Sequence, residues 1–333
     1  MPARPRPSLH RPLAAAVTAL AVTTPTACGT TQPTASGAGE DQQESSAGPV
    51  TLTDATGKTL ELPAPAERVV VLEWQQVEDV LSLGVEPVGV ADVKGYTTWN
   101  SAEELPADTT DVGQRGEPNL DAVFSTDPDL IIMEQEYSES VVKQLAKYDV
   151  PVLVTEGADA KDPIGTMKGT FSLIGQALGK EEEAEEVLAE FEETLEQAKE
   201  DVSAADPETT EFTYMDAYLD GSNIALRPFG QGSLVGELGE AIGLTNVWKG
   251  EVDADYGLGA TDPEGLTKVG DAHFFYTSTE STDWLTALEK NRVYQNAGFV
   301  TKDRTHAFPE HIWTFGGPRS SEQVVEAFVD GVS

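Results

Sequence analysis

From Ile164 to Val202 apolar residues recur at spacings of three and four: Ile164, Met167, Phe171, Ile174 and Leu178, then, past Gly179, Leu188, Phe191, Leu195, Ala198 and Val202. That period lines one face of a helix, and the glycine between the two runs supplies a stop, so the middle of the chain reads as two amphipathic helices. The second, "KEEEAEEVLAEFEETLEQAKEDV", is about 23 residues and near 35 Å long, enough to brace two lobes. Glu181, Glu182, Glu183, Glu185 and Glu186 fall in its first turns, where carboxylates favour the helix dipole, so this charge run has a structural cause.

On either side of the helical centre the pattern switches. "RVVVLEW" (68–74) is a short β-branched run, followed by a helical "VEDVLSLG" and a second apolar step, "VEPVGVAD". Strand and helix go on alternating through "LDAVFSTDPDLIIMEQ", "SESVVKQLAKYD" and "VPVLVTE", which predicts a parallel sheet flanked by helices. Past "SAADPETT" the same grammar returns: "GEPNLDAVFSTDPDLIIMEQ" (116–135) has a counterpart in "GATDPEGLTKVGDAHFFYTS" (259–278), and "VEDVLSLGVEPVGV" (77–90) in "VGELGEAIGLTNVW" (235–248). An ordered repeat on both sides of a helix predicts an α/β protein of two related lobes, 50–163 and 206–333, joined through a helical segment, 164–205. A cleft would lie between the lobes, where ligands are commonly bound.

The N-terminus reads differently. Arg4, Arg6 and Arg11 precede a short Ala/Val/Leu run from Leu13 to Val22, the n-region and h-region of an export signal over 1–27. Thr26 and Ala27 before Cys28, with Gly29 and Thr30 after it, resemble a bacterial lipobox, although Pro25 stands where that pattern usually has Leu. Cys28 is the only cysteine of 333 residues, so no internal disulfide is possible, and lipidation would account for a solitary thiol. Residues 29–49 are polar and small, too poor in apolar groups to fold, and read as a tether from the membrane to the lobes.

Lys and Arg number 21 against 58 Asp and Glu, a net charge of −37 that repels nucleic acid and anionic headgroups, so nucleic-acid binding is excluded. No P-loop, G-x-S-x-G, H-E-x-x-H or G-x-G-x-x-G after a strand occurs. In "HAFPEH", His306 and His311 lack the helical spacing of a zinc pair, and His273 falls in or beside a buried strand. A binding protein is therefore expected in place of an enzyme. Past the signal Arg occurs only at 68, 115, 227, 292, 304 and 319, and three of these lie in turn contexts, "GQRGEP", "ALRPFGQG" and "FGGPRSS". Guanidinium forks displayed on loops pair with anionic oxygens. Trp74, Tyr96, Trp99, Tyr137, Tyr218, Trp248 and Trp313 accompany them at expected strand ends or loops.

The stretches "RVVVLEWQQVEDVLSLGVEPVGVADVKGY", "DVGQRGEPNLDAVFSTDPDLIIMEQ", "RPFGQGSLVGELGEAIGLTN" and "WTFGGPRSSEQVVEAF" resemble the iron-siderophore substrate-binding lipoproteins of ABC importers, most of all the ferric citrate branch. The resemblance implies two Rossmann-like α/β lobes joined by one long α-helix, a shallow cleft and limited hinge closure. It implies no intrinsic cofactor, a ferric siderophore as the transported ligand, and an ABC permease as partner. It also implies a monomer held by a lipid anchor on the outer face of the cell membrane. Ligand contacts would come from Arg115, Arg227 and Trp313, then Tyr96, Trp99, Tyr137, Tyr218 and Arg319, the arginines meeting a negatively charged ferric complex. Glu78 and Glu240, at equivalent points of the two repeats, would dock the permease. Cobalamin or haem on the same scaffold is the alternative ligand, and a secreted metal-binding protein or enzyme the alternative class.

Overall fold

The computed structural model describes residues 48–333 apart from 137, 138, 146, 278 and 280. The expected export signal, Cys28 and the tether as far as residue 47 lie outside the described residues, as does Tyr137. A hairpin of β1 (Val50–Thr53) and β2 (Thr59–Leu62) opens the first lobe. It continues through β3 (Val69–Val71), α1 (Trp74–Ser82), β4 (Gly89–Val90), α2 (Val93–Trp99), β5 (Thr110–Asp111), α3 (Leu120–Ser125), β6 (Leu130–Glu134), α4 (Glu139–Leu145) and β7 (Val152–Thr155). Helices α5 (Pro163–Leu178) and α6 (Glu181–Ala205) follow. The second lobe comprises β8 (Glu211–Asp220), β9 (Asn223–Phe229), α7 (Leu234–Ala241), β10 (Thr245–Asn246), a 3-10 turn (Pro263–Lys268), β11 (His273–Tyr276), α8 (Asp283–Leu288), α9 (Arg292–Gln295), α10 (Gly298–Thr301), β12 (Thr305–Ala307) and α11 (Pro318–Val332).

Strands of the first lobe lie in the order β5-β4-β3-β6-β7, all parallel. Those of the second lie β10-β8-β11-β12, also parallel, with β9 added antiparallel to β8. The run β4-β3-β6-β7 therefore matches β10-β8-β11-β12 strand for strand, so the repeat in the sequence is a repeat in space. Both sheets are covered on both faces, which is why their strands read as unbroken apolar runs. Val69 and Val71 enter one core with Leu130 and Ile132, while Val70 enters the opposite core with Ile131 and Met133. In the second lobe Phe275 and Phe274 divide between two cores in the same way.

Helix caps repeat as well. Each of α1 and α7 is followed by a glycine at positive φ, Gly84 at 75° and Gly243 at 94°, and the next residue donates back to a carbonyl of the helix, Val85 to Val80 and Leu244 to Gly239. That geometry closes a helix and turns the chain into the following strand. Helix α5 starts at Asp162, whose carboxylate accepts from Gly165 N, and ends at Gly179, as the sequence indicates. Helix α6 then passes from one lobe to the other: Ala184 and Val187 pack in the first lobe's core, Phe191, Ala198 and Val202 in the second's. The molecule is thus two α/β lobes joined by a long helix, with a cleft between them.

Candidate functional site

A parallel strand presents the residue after its carboxyl end to the rim of the sheet, and both sheets turn that rim toward the cleft. Glu73 and Trp74 follow β3, Glu134 ends β6, Gly157 and Ala158 follow β7, Asp216 lies on β8 and Thr277 follows β11; all of them line one cavity of about 540 Å³. The segment between β12 and α11 returns to the cleft and adds Ile312, Trp313, Thr314 and Phe315.

An aromatic wall runs across the cavity. Trp313 meets Trp74 edge-on at 4.9 Å between ring centroids, Trp99 at 6.1 Å and Phe315 at 5.2 Å. Phe315 in turn approaches Phe229 at 5.5 Å and Tyr256 at 5.7 Å. Arg115, from the first lobe, lies 3.8 Å above the Trp74 ring and donates to Glu73 Oε1 at 2.7 Å. Glu73 is buried and also accepts from Trp74 N at the start of α1, so one carboxylate fixes both a helix terminus and an arginine. Arg227, from the second lobe, is the cross-strand partner of Asp216 in the β8–β9 hairpin and grips its carboxylate through both Nε and Nη2. Its guanidinium stands 5.6 Å from the Phe229 ring and 5.6 Å from that of Phe315. Burial raises the Asp216 pKa against the opposing pull of Arg227.

Where the lobes meet across the cavity, the Tyr256 hydroxyl lies 2.7 Å from Glu134 Oε1 and 2.8 Å from Glu136 Oε2. A phenol has one proton to donate, so holding both carboxylates favours a proton on one of them. Burial first, then the charge of Glu73, pushes Glu134 up to about 7. Burial and the two glutamates likewise raise the Tyr256 pKa, so the phenol stays protonated. A Cβ at Gly157 would fall 1.6 Å from Glu134 Oε1, so only glycine leaves room for this carboxylate.

Residues 69–255, more than half of the chain, match the family described as Periplasmic binding protein. The chain belongs to that family. The iron(3+)-hydroxamate-binding protein FhuD of Escherichia coli (strain K12) is 27% identical over 265 residues, covering 80% of this chain and 86% of its own. The Fe(3+)-citrate-binding protein YfmC of Bacillus subtilis (strain 168) is 29% identical over 272 residues, covering 81% and 82%. Among solved structures, the siderophore-binding protein FhuD of Vibrio cholerae, bound to Fe3+-Desferal, superposes with a TM-score of 0.68 at 22% identity, over 80% of this chain and 97% of its own.

In this periplasmic binding protein, four residues expected at the ligand, Trp99, Arg115, Arg227 and Trp313, line this same cavity. Others lie elsewhere. Tyr96 is wholly buried in the first lobe, its hydroxyl donating to the Glu103 carbonyl at 2.9 Å, because α2 turns it into the core. Tyr218 is 61% exposed on the part of β8 that runs past β11 and pairs with β9 alone. Arg319 pairs with Glu190 and Glu322, bracing α11 against α6. Glu78 cannot be offered to a permease: it is fully buried, and it accepts from Ser320 N at 2.8 Å, from Ser320 Oγ and from Asn100 Nδ2 at 2.7 Å, fastening the start of α11 to α1. Glu240 is half-buried and accepts from Gln231 Nε2 at 2.9 Å. His306 and His311 do not converge; His306 meets His273 at 2.9 Å, and His311 Nδ1 donates to the Thr98 carbonyl at 2.6 Å. Sequence reasoning missed Glu73, Glu134, Glu136, Asp216, Tyr256 and Phe315 as cleft residues, although the first four follow, end or lie on parallel strands. That position was the available signal.

Proposed function

We propose that this protein is an extracytoplasmic solute-binding protein that captures a ferric siderophore between its lobes and delivers it to an ABC permease, with no chemical step of its own. The observation that carries the reading is the cleft: three of the chain's five tryptophans and one arginine from each lobe share a cavity of about 540 Å³. That volume falls within the range typical of small-molecule sites, and large rings with few polar groups suit a bulky chelate that must later be released. Relatives whose names specify ferric hydroxamate and ferric citrate support the ligand class. None of the three described histidines lines the cavity, which leaves haem without its commonest axial ligand. In this reading Cys28 carries the lipid, residues 29–49 are the leash, and Glu240 is the remaining candidate contact with the permease.

The test is a tryptophan-fluorescence titration with ferric citrate, a ferric hydroxamate, a ferric catecholate, haem and cobalamin. Quenching by a ferric chelate at micromolar concentration is expected. Response only to haem or cobalamin, or to none of the five, overturns the reading. Mass spectrometry of the native protein tests the anchor separately, an unacylated Cys28 removing it.

A further inference from the structure

The family resemblance predicts that Arg115, Arg227 and Arg319 meet an anionic complex, and Arg319 lies outside the cleft. In the structure the charged side chains lining the cavity are two cations, Arg115 and Arg227, against four acids, Glu73, Glu134, Glu136 and Asp216. Each guanidinium already holds a carboxylate that is poorly placed to leave. Glu73 is buried and tied to the start of α1 as well as to Arg115; Asp216 is set opposite Arg227 by strand register and gripped by two nitrogens. Glu134 and Glu136 meet at the Tyr256 hydroxyl, and even with one proton shared between them the pair keeps a negative charge that no third cation lining the cavity among the described residues offsets.

We infer that this cleft selects ferric complexes of zero or positive net charge, ferric trihydroxamates being the class that fits, and rejects polyanionic ferric complexes, with Glu134 and Glu136 as the residues that set the discrimination. The inference rests on the siderophore reading above and narrows it. The charge of the ligand follows from its donor groups. Three singly charged hydroxamates cancel the charge of ferric ion, whereas three doubly charged catecholates leave a trianion and citrate leaves uncoordinated carboxylates. Like charges brought together in a desolvated site are strongly unfavourable, and rejection of the wrong partner by repulsion is a common source of specificity. An uncharged chelate presents an apolar exterior, which suits the wall formed by Trp74, Trp99, Trp313 and Phe315.

The experiment titrates the purified chain, by tryptophan fluorescence at fixed salt, with ferrioxamine B, ferric citrate and ferric enterobactin. Ferrioxamine B is expected to bind roughly a hundredfold or more tightly than either anion. In the double variant E134Q/E136Q the gap is expected to narrow by about tenfold, through tighter binding of the anions. Glu136→Gln alone, at an exposed side chain, gives the same readout should the double variant not fold. Equal or tighter binding of the anions, or an unchanged ratio in the variant, overturns this inference and leaves the siderophore reading standing. Failure of all three ferric complexes to bind overturns both.

Discussion

Glu134 faces Glu73 from the start of α1, Arg115 from the loop after β5, and Tyr256 from the opposite lobe, with Glu136 beyond the phenol. Its pKa is raised from the usual 4.5 to about 7 because burial penalises the charged form. The folded state therefore binds a proton that the unfolded state has released. The stability it contributes is complete below the unfolded value and is lost as pH rises through about 7. Between those limits the loss is on the order of 3 kcal/mol. Urea denaturation at a series of pH values should show this decline, and Glu134→Gln should flatten it; an identical pH profile would show that Glu134 is not the titrating group. Glu78 makes a second case. Glu78→Ala strips the buried Ser320 N–H of its acceptor and the Asn100 amide of its shorter one, and an unfolding free energy lowered by about 1–3 kcal/mol, read as a lower denaturation midpoint, is expected. A docking acid on the surface would leave that midpoint unchanged. Arg115 and Arg227 were legible as site residues because turn contexts mark chain exposed at strand ends. Tyr96 and Glu78 were not, since helix rotation decides whether a side chain faces core or solvent, and a short helix with mixed residues leaves that rotation ambiguous.

At the scale of elements, α1 and α7 end alike, and the two glycines that end them carry the conformational cost of the turn. A Cβ at Gly84 or Gly243 would meet no atom within 4 Å, so Gly243→Ala should cost about 1 kcal/mol through backbone strain alone. A chemical-denaturation midpoint checks this, and no change would mean the turn relaxes to negative φ. Helix α6 depends on packing more than on its caps, since Lys180 provides no side-chain cap. Phe191→Ala, at a position with no exposure, is expected to remove about 3–5 kcal/mol. A loss below 1 kcal/mol, about what truncating an exposed side chain costs, would mean that α6 does not pack into the second lobe's core as described. The long helices and the central parallel strands were legible because each shows an unbroken period or an unbroken apolar run. The β1–β2 hairpin went unread, although "TLTDATGKTLEL" alternates around a turn in which Asp54 accepts from the backbone of Thr56 and Lys58.

For the whole molecule, hydrogen bonds tie one lobe to the other at several separate points. Tyr256 reaches Glu134 and Glu136, His311 exchanges hydrogen bonds with Thr98 and Ser101, and Glu78 holds Ser320. The last two lie beside α1 and α2, while the Tyr256 hydrogen bonds cross the cavity itself, alongside the Trp313–Trp74 ring contact, and so are bonds that cleft opening must break. Tyr256→Phe removes the donor and keeps the ring against Phe315. Ligand dissociation, followed by stopped-flow fluorescence, should speed up by roughly tenfold, the equivalent of one hydrogen bond to a charged group. An unchanged rate would place the closing contact elsewhere.

The sequence alone determined the two-lobe α/β plan, the helical centre and the repeat, because periodicity and apolar runs are local properties that survive without knowledge of neighbours. Only the tertiary structure decided the electrostatic character of the cleft. Arg115 and Glu73 are 42 residues apart, Arg227 and Asp216 meet through hairpin register, and Tyr256 reaches Glu134 across 122 residues of chain. Pairings of that kind are made by strand order and lobe closure, and they turned arginines expected to be receptive into a site whose charges are already matched or exceeded by acids.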